Sequence, residues 1–289
     1  MNFDIPLGSW VEIFVDLLMD NLSWLFDFIS LVVGWLTKSL EGVLMGLPAW
    51  IMIGVIIVLA FWRLSWRYTL VFFVALLLLV GMGMWEATMS TLALVAASTV
   101  ASLIVAIPMG IWMAKSDTVE GIVRPVLDFM QTMPPFVYLI PAAMFFGLGK
   151  VPGAVATITF CAPPAVRLTN LGIRQVPKEL REAGVAFGCT GMQLLRKVEI
   201  PIAMPSIMAG VNQNIMMALS MVVIASMIGA GGLGNVVLSG IQRMDIGLGF
   251  EGGLGVVILA IILDRITQSF GQSHCPSLMA RLKGLFGGS

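Results

Sequence analysis

The feature that most constrains this chain is where its charges are missing. Sixteen Lys and Arg and sixteen Asp and Glu are gathered into a few stretches. Charge-free windows run over 42–62, 68–85, 87–114, 129–149, 151–166 and 200–242, and a further apolar window, 246–263, is interrupted by Glu251 alone. Hydrocarbon offers no partner to an open backbone, so a segment of about 20 apolar residues persists there only as a helix. The windows therefore predict an all-α polytopic membrane protein with about seven transmembrane helices. The 200–242 window is too long for one span and predicts a helix over about 208–230 followed by a Gly-rich exit. Composition agrees, with 58% hydrophobic and 11% charged residues, against about 25% charged in an ordinary soluble domain.

Residues 9–36 read differently. Asp16, Asp20 and Asp27 interrupt Trp10, Phe14, Leu17, Leu18, Trp24, Leu25 and Phe28, which recur at helical spacing. This predicts an N-terminal interfacial or scaffold helix, with a full span through 22–37 as the alternative if Asp27 is tolerated. Residues Met1–Asp20 carry Asp4, Glu12, Asp16 and Asp20 but no Lys or Arg, so no cleaved secretory signal is expected. The chain divides into 1–86 (the amphipathic helix and two peripheral spans), a core over 87–270, and a tail over 271–289. Placing the 167–207 loop inside puts thirteen Lys and Arg on the cytoplasmic side and leaves Lys38, Lys150 and Arg243 outside. The positive-inside rule therefore predicts that loop 167–207 and the C-terminus are cytoplasmic.

Several functional classes are poorly served. The equal charge balance provides no basic excess for a nucleic-acid backbone, so no nucleic-acid partner is expected. Cys161, Cys189, Cys275 and His274 have neither the number nor the spacing of a metal site or disulfide framework, and no metal is expected. No acid/base pair of an intramembrane enzyme stands out, and the clear mid-span windows lack the carboxylates that couple ions in secondary transporters. Ala230-Gly231-Gly232-Leu233-Gly234 is glycine-rich but lacks the Gly-Lys-Ser/Thr of a phosphate loop, so a nucleotide is not expected there.

Loops between spans are short as a rule, yet about 40 residues, 167–207, separate the 151–166 window from the helix expected to begin near 208. Lys178-Glu179-Leu180-Arg181-Glu182-Ala183-Gly184-Val185-Ala186-Phe187 predicts a short helix, with Pro177 suited to its first position and Gly188 to its C-terminal cap. Leu180, Ala183, Gly184 and Phe187 then share one face. Thr190-Gly191-Met192-Gln193 predicts a capping box opening a second helix, which Pro201 and Pro205 are expected to end. By periodicity alone this hairpin either caps the bundle or docks a cytoplasmic partner.

The spacing of particular residues adds to that reading. Glu182-Ala183-Gly184, three residues, Gly188, nine residues and Val198-Glu199-Ile200-Pro201 resemble the E-A-A, three, G, nine, I-x-L-P loop of binding-protein-dependent ABC importer permeases. Gly184 replaces the second Ala, removing a methyl from the shared face and lowering helix propensity by about 1 kcal/mol. The resemblance extends over about 87–270. Met133-Pro134-Pro135-Phe136-Val137-Tyr138-Leu139-Ile140-Pro141, Phe146-Gly147-Leu148-Gly149-Lys150-Val151-Pro152-Gly153, the run Pro163–Pro177 and the run Met217–Gly234 are similar to permeases of the quaternary-amine osmolyte importers, the glycine betaine, proline betaine and choline branch.

That resemblance implies a MetI-like helical bundle in a bacterial inner membrane, taking up glycine betaine or a related methylated amine (choline, proline betaine, carnitine or trimethylamine N-oxide). Another small cargo, such as an amino acid, sulfonate or phosphonate, is the alternative. It also implies a second copy of the permease, two cytoplasmic ATP-binding subunits that hold ATP and magnesium, and a separate extracytoplasmic binding protein. This chain itself is expected to bind no cofactor. Arg181, Glu182, Ala183, Gly184, Phe187, Gly188 and Pro201 become candidates for coupling to the ATPase. In the membrane, Pro134, Pro135 and Pro141 break one span's hydrogen-bond ladder, giving either a mobile gate or a static kink. Gln131, Thr132, Pro134, Pro135, Phe136, Tyr138, Asn212, Asn214 and Ser220 are candidates for the translocation path, interhelical bonding being the plainer reading of the amides.

Overall fold

The computed structural model describes residues 7–64 and 66–271. The expectations for Asp4, His274, Cys275 and the tail beyond Gly271 lie outside the described residues. In chain order the helices are α1 (Leu7–Gly46), α2 (Ala49–Arg63), α3 (Trp66–Gly81), α4 (Trp85–Lys115), α5 (Asp117–Thr132), a 3₁₀ turn (Pro135–Tyr138), α6 (Leu139–Phe146), α7 (Lys150–Arg174), α8 (Lys178–Ala186), α9 (Gly191–Leu194), a π-turn (Leu195–Glu199), α10 (Ile200–Ser226), α11 (Gly232–Arg243) and α12 (Ile246–Gly271).

At the centre, α7 packs between α4 and α10. The contact faces are built from small residues. Ala93, Ala97, Ser98, Ser102, Ala106 and Gly110 of α4 are buried, as are Gly153, Ala154, Thr157, Cys161, Ala165 and Gly172 of α7. Lipid chains are as apolar as leucine, so helices in a membrane gain from close backbone approach more than from large apolar side chains. A Cβ added at Gly172 would meet Ser206 Cβ of α10 at 2.7 Å, and one at Gly153 would meet Ala230 Cβ at 2.6 Å. Asn214 of α10 reinforces the triple contact. It is fully buried, and its Nδ2 donates to Ser102 Oγ and to the Cys161 carbonyl, each at 2.8 Å.

Among the described residues, five helices are long and apolar enough to cross a membrane, or six if one sharply bent pair counts as a span, against the seven or so expected. A window without charge is not one helix, because glycine and proline cut it. Gly46, Leu47 and Pro48 divide 42–62, leaving α2 and α3 at 15 and 16 residues. Met133 and Pro134 divide 129–149, where α5 and the Pro135–Phe146 segment meet at 110°. For the N-terminal helix, expected in the interface with a full span as the alternative, length and hydropathy allow the span. Residues Val15–Gly46 of α1 are long and apolar enough to cross, with a non-helical Leu22 marking a kink. Phe26 of α1 stacks on Phe145 at 4.5 Å and meets Phe146 edge-on at 5.7 Å, which holds α1 against α6.

Pro201 and Pro205 do not end the helix before them. The π-turn leads straight into α10, and Gly191–Ser226 forms a single span-length helix rather than one starting near 208. Pro201 falls in the first turn of α10, and the wider π-turn before it accommodates the proline ring. The 200–242 window breaks after α10, where Gly229, Gly231 and Gly232 have φ of +89°, +80° and +68°. α12 runs past the half-buried Glu251 without interruption. At the end of the bundle remote from α8, Lys150 donates to Glu41 and, at 3.2 Å, to Ser90 Oγ, joining α1, α4 and α7.

Candidate coupling site and translocation path

α8 is a nine-residue helix fixed at both ends by its own sequence. Pro177 is the N-cap, one position before the first helical residue Lys178, rather than the first helical residue as expected. At the other end Gly188 has φ +79°; its N–H donates to the Val185 carbonyl at 2.9 Å and the Cys189 N–H to the Gly184 carbonyl at 3.1 Å. This pair of bonds is a Schellman motif, and it needs the left-handed conformation that glycine adopts freely. The next turn is held by the expected capping box, Thr190 Oγ1 accepting from Gln193 N at 3.4 Å and Gln193 Oε1 from Thr190 N at 2.8 Å. Gly188→Ala is expected to cost about 1 kcal/mol locally. It would show as faster amide exchange over 187–189, with the melting of the bundle unchanged.

One face of α8 lies on the bundle and the other is bare. Gly184 is buried, and a Cβ there would come within 2.6 Å of Leu194 Cδ1 and 3.6 Å of Val198 Cγ2. Gly184 is thus set apart from the exposed Leu180, Ala183 and Phe187 with which it was expected to share a face, and its missing methyl lets α8 lie close on the following turns. The nine-residue interval after Gly188 is what returns Val198 beneath α8. Glu182, Ala183 and Gly188 are exposed, and Phe187 is 89% exposed, while Arg181 is half-buried and Pro201 exposed at the foot of α10.

Sequence reasoning missed Glu199. It is 2% exposed, accepts from Lys115 Nζ at the end of α4, and has Arg181 Nε 3.4 Å from its Oε1. Arg181 Nη2 also donates to the Ile173 carbonyl of α7. The only sequence signal was an acid directly before Ile200-Pro201, in a position the loop pattern leaves open. A second network ties the ends of α4, α5 and α7. Arg174 Nη2 lies 2.7 Å from Asp117 Oδ1 and 2.9 Å from Glu120 Oε2, and donates to the Met113 carbonyl at 2.9 Å. Arg167 pairs with Asp128 nearby.

The path candidates separate into two groups. Asn214 and Tyr138 are buried and bonded within the protein, Tyr138 donating to the Met130 carbonyl across the α5 bend and meeting the Phe160 ring edge-on at 5.8 Å. The Asn214 amide and the Tyr138 hydroxyl thus each donate within a helix contact, while Asn214 Oδ1 is buried without a hydrogen-bond partner. Asn212 is half-buried and donates to Asp264 Oδ1 of α12 at 2.8 Å. By contrast Gln131, Thr132, Pro134, Phe136 and Ser220 are exposed and Pro135 half-buried. The bend itself is legible: Pro134 and Pro135 start a 3₁₀ turn, whereas Pro141 sits in the first turn of α6, where no intrahelical N–H is required.

A bundle of span-length helices crossing on small residues, with a bent pair at one side and one amphipathic loop helix displayed at an end, is the architecture of a polytopic membrane protein. Residues 106–273 match the family described as binding-protein-dependent transport system inner membrane component, and the chain belongs to that family. It is 50% identical to the glycine betaine/carnitine transport permease protein GbuB of Listeria monocytogenes, over 93% of this chain and 96% of that protein. It is 48% identical to the glycine betaine/proline betaine transport system permease protein ProW of Escherichia coli, over 93% of this chain and 76% of that one. The fold is also that of a chain in the inward-facing MetNI methionine ABC transporter, with TM-score 0.56, 23% identity, and 65% of this chain and 92% of that chain covered. The MetI-like bundle is thus the fold of this protein, and its role is that of a transport subunit of the inner membrane.

Proposed function

We propose that this chain imports glycine betaine, or a closely related methylated amine, as the membrane subunit of an ATP-driven importer. Glycine betaine is the cargo common to the names of the GbuB and ProW relatives. The observation that carries the coupling half of the proposal is the two-sided α8, whose Gly184 face is buried and whose Glu182, Ala183 and Phe187 face is bare. A cytoplasmic ATPase seats on that bare face and supplies ATP and magnesium, and closure of two such subunits moves α8. Two permease copies pair around the path, each contributing the exposed polar positions Gln131, Thr132, Gln213 and Ser220. A separate extracytoplasmic protein delivers the cargo on the side away from α8. A methylated ammonium is a large, diffuse cation, so aromatic faces such as that of Phe136 and backbone carbonyls freed at the α5 bend attract it without holding it.

The test is uptake of labelled glycine betaine into vesicles containing the permease, its ATPase and its binding protein, with carnitine, proline betaine, choline and trimethylamine N-oxide as competitors. Accumulation that requires ATP and is competed by these amines is expected. No accumulation of any of them, together with uptake of an amino acid, sulfonate or phosphonate, would move the chain to the alternative cargo class. Glu182→Lys, on the bare face, is expected to reduce uptake to background while the permease reaches the membrane in normal amount.

A further inference from the structure

Four helices meet at a single buried carboxylate beside α8, and seating an ATPase on the outer face of α8 does not by itself require such a joint. Gly184 already lies close against Leu194 and Val198, an apolar contact between α8 and the turns that follow it. Glu199 adds something that contact lacks. Its carboxylate is 2% exposed, whereas its cationic partners reach in from the rim, Lys115 at 40% and Arg181 at 32% side-chain exposure. Lys115 ends α4, Arg181 lies within α8 and is bonded to the Ile173 carbonyl of α7, and Glu199 itself immediately precedes α10.

A buried charge paired in this way is costly to assemble and more costly to break, because separation leaves an ion without compensation in a dry site. Its hydrogen bond from Lys115 is also directional, and Arg181 Nε stands at ion-pair distance on the other oxygen. An apolar contact permits α8 to slide or roll, whereas these ion pairs make a displacement of α8 pull on α4, α7 and α10 together. The π-turn Leu195–Glu199 lies between the capped turn at Thr190 and the long helix α10. Such wide turns can change register more readily than a regular helix, and they recur at functional positions. Without a fixed point at its end, this one would absorb the movement of α8 instead of passing it on.

We propose that Glu199 is the positioning residue through which displacement of α8 reaches the core helices, Lys115 carrying it to α4 and Arg181 to α8 and α7. The proposal rests on the reading of α8 as the ATPase docking helix. It predicts a defect different from loss of docking: the ATPase stays bound and hydrolyses ATP, but less cargo crosses for each ATP consumed.

The experiment uses the complete importer in liposomes and measures three quantities: ATPase retained by the tagged permease, ATP hydrolysis, and glycine betaine taken up per ATP. Glu199→Gln keeps the size but removes the charge and replaces one of the two acceptor oxygens with an amide donor. Retention is expected to be unchanged, hydrolysis to continue, and uptake per ATP to fall about tenfold, within the range by which residues linking two sites alter their coupling. Lys115→Met, which cuts only the α4 arm, should lower uptake per ATP about threefold. Glu199→Asp, which preserves the charge, should recover most of the loss. Unchanged uptake per ATP in Glu199→Gln overturns the proposal, as does a loss of ATPase retention that accounts for the whole loss of uptake. Should Glu199→Gln fail to accumulate in the membrane, Lys115→Met decides, because Lys115 lies at the rim and its removal leaves Arg181 on the carboxylate; unchanged uptake per ATP in that variant overturns the proposal equally. A wild-type permease that retains no ATPase overturns instead the docking reading on which the proposal rests.

Discussion

Gly110→Leu is expected to leave almost no folded permease in the membrane, the largest stability effect of any single substitution considered for this chain. Gly110 lies on α4 where it crosses α7. A Cβ at this position would stand 2.6 Å from Thr169 Cβ and 2.7 Å from the Val166 carbonyl oxygen. Neither neighbour is the free end of a flexible side chain; both belong to the frame of α7, so relief requires the two helices to separate. Even alanine is therefore overpacked, at about 1–3 kcal/mol, and leucine adds three further carbons in the same direction. Separation of α4 from α7 would also strain Asn214 of α10, whose Nδ2 bonds both Ser102 of α4 and the Cys161 carbonyl of α7. Gly54→Ala supplies the contrast. Nothing lies within 4 Å of its added Cβ, and it sits inside α2. The gain in helix propensity there is about 1 kcal/mol. Thermal unfolding in detergent should rank Gly54→Ala at or above wild type, Gly110→Ala below it, and Gly110→Leu lowest or unrecoverable. A Gly110→Leu protein that melts with the wild type would mean that α4 and α7 do not cross as closely as described.

What the sequence made legible was local, and what it hid depended on distant partners. The windows 87–114 and 151–166 correspond to α4 and α7, which run on through Pro108 and through Pro163 and Pro164 respectively; α7 extends to Arg174, where Arg167 and Arg174 find acids on α5. The ends of α8 and the box at Thr190 were readable for the same reason, each being decided by residues within a turn of one another. Inferring helix continuity from missing charge failed at Gly46–Pro48 and at Pro134, where backbone geometry overrides hydropathy. The direction of Gly184 could not be read from α8 alone, since its face is chosen by Leu194 and Val198 folding back from the next turn. Glu199 was hidden more deeply. Its partner Lys115 is 84 positions away, and in sequence the acid looks like one more charge beside Arg196 and Lys197. Among the amides, Asn214 and Gln213 are adjacent in sequence, yet one is buried in a three-helix contact and the other exposed, a distinction made only by helix packing.

Phe187→Ala is expected to weaken attachment of the ATPase about 30-fold or more while leaving the permease as stable as before. The two halves of that expectation come from one number. Phe187 is 89% exposed at the end of α8, so its ring contributes little to this fold, and truncation should change stability by no more than about 0.5 kcal/mol. An aromatic ring presented to water on a rigid, capped helix is also the type of group that dominates an interface once a partner covers it, at about 2 kcal/mol or more on truncation to alanine. That corresponds to the stated factor of about 30 in the dissociation constant. The neighbouring Glu182 and Ala183 are exposed on the same helix but offer far less apolar area, so Ala183→Gly should weaken attachment much less. The decisive comparison is with Glu199→Gln. At limiting ATPase, Phe187→Ala should lower uptake and hydrolysis together, since fewer complexes form but each one works, and raising the ATPase concentration should restore both. Glu199→Gln should lower uptake per ATP and respond to no excess of ATPase. If Phe187→Ala binds the ATPase as tightly as wild type, the bare face of α8 is not where the partner sits. If its uptake per ATP falls as well, then docking and transmission are not divided between the outer and inner faces of this helix.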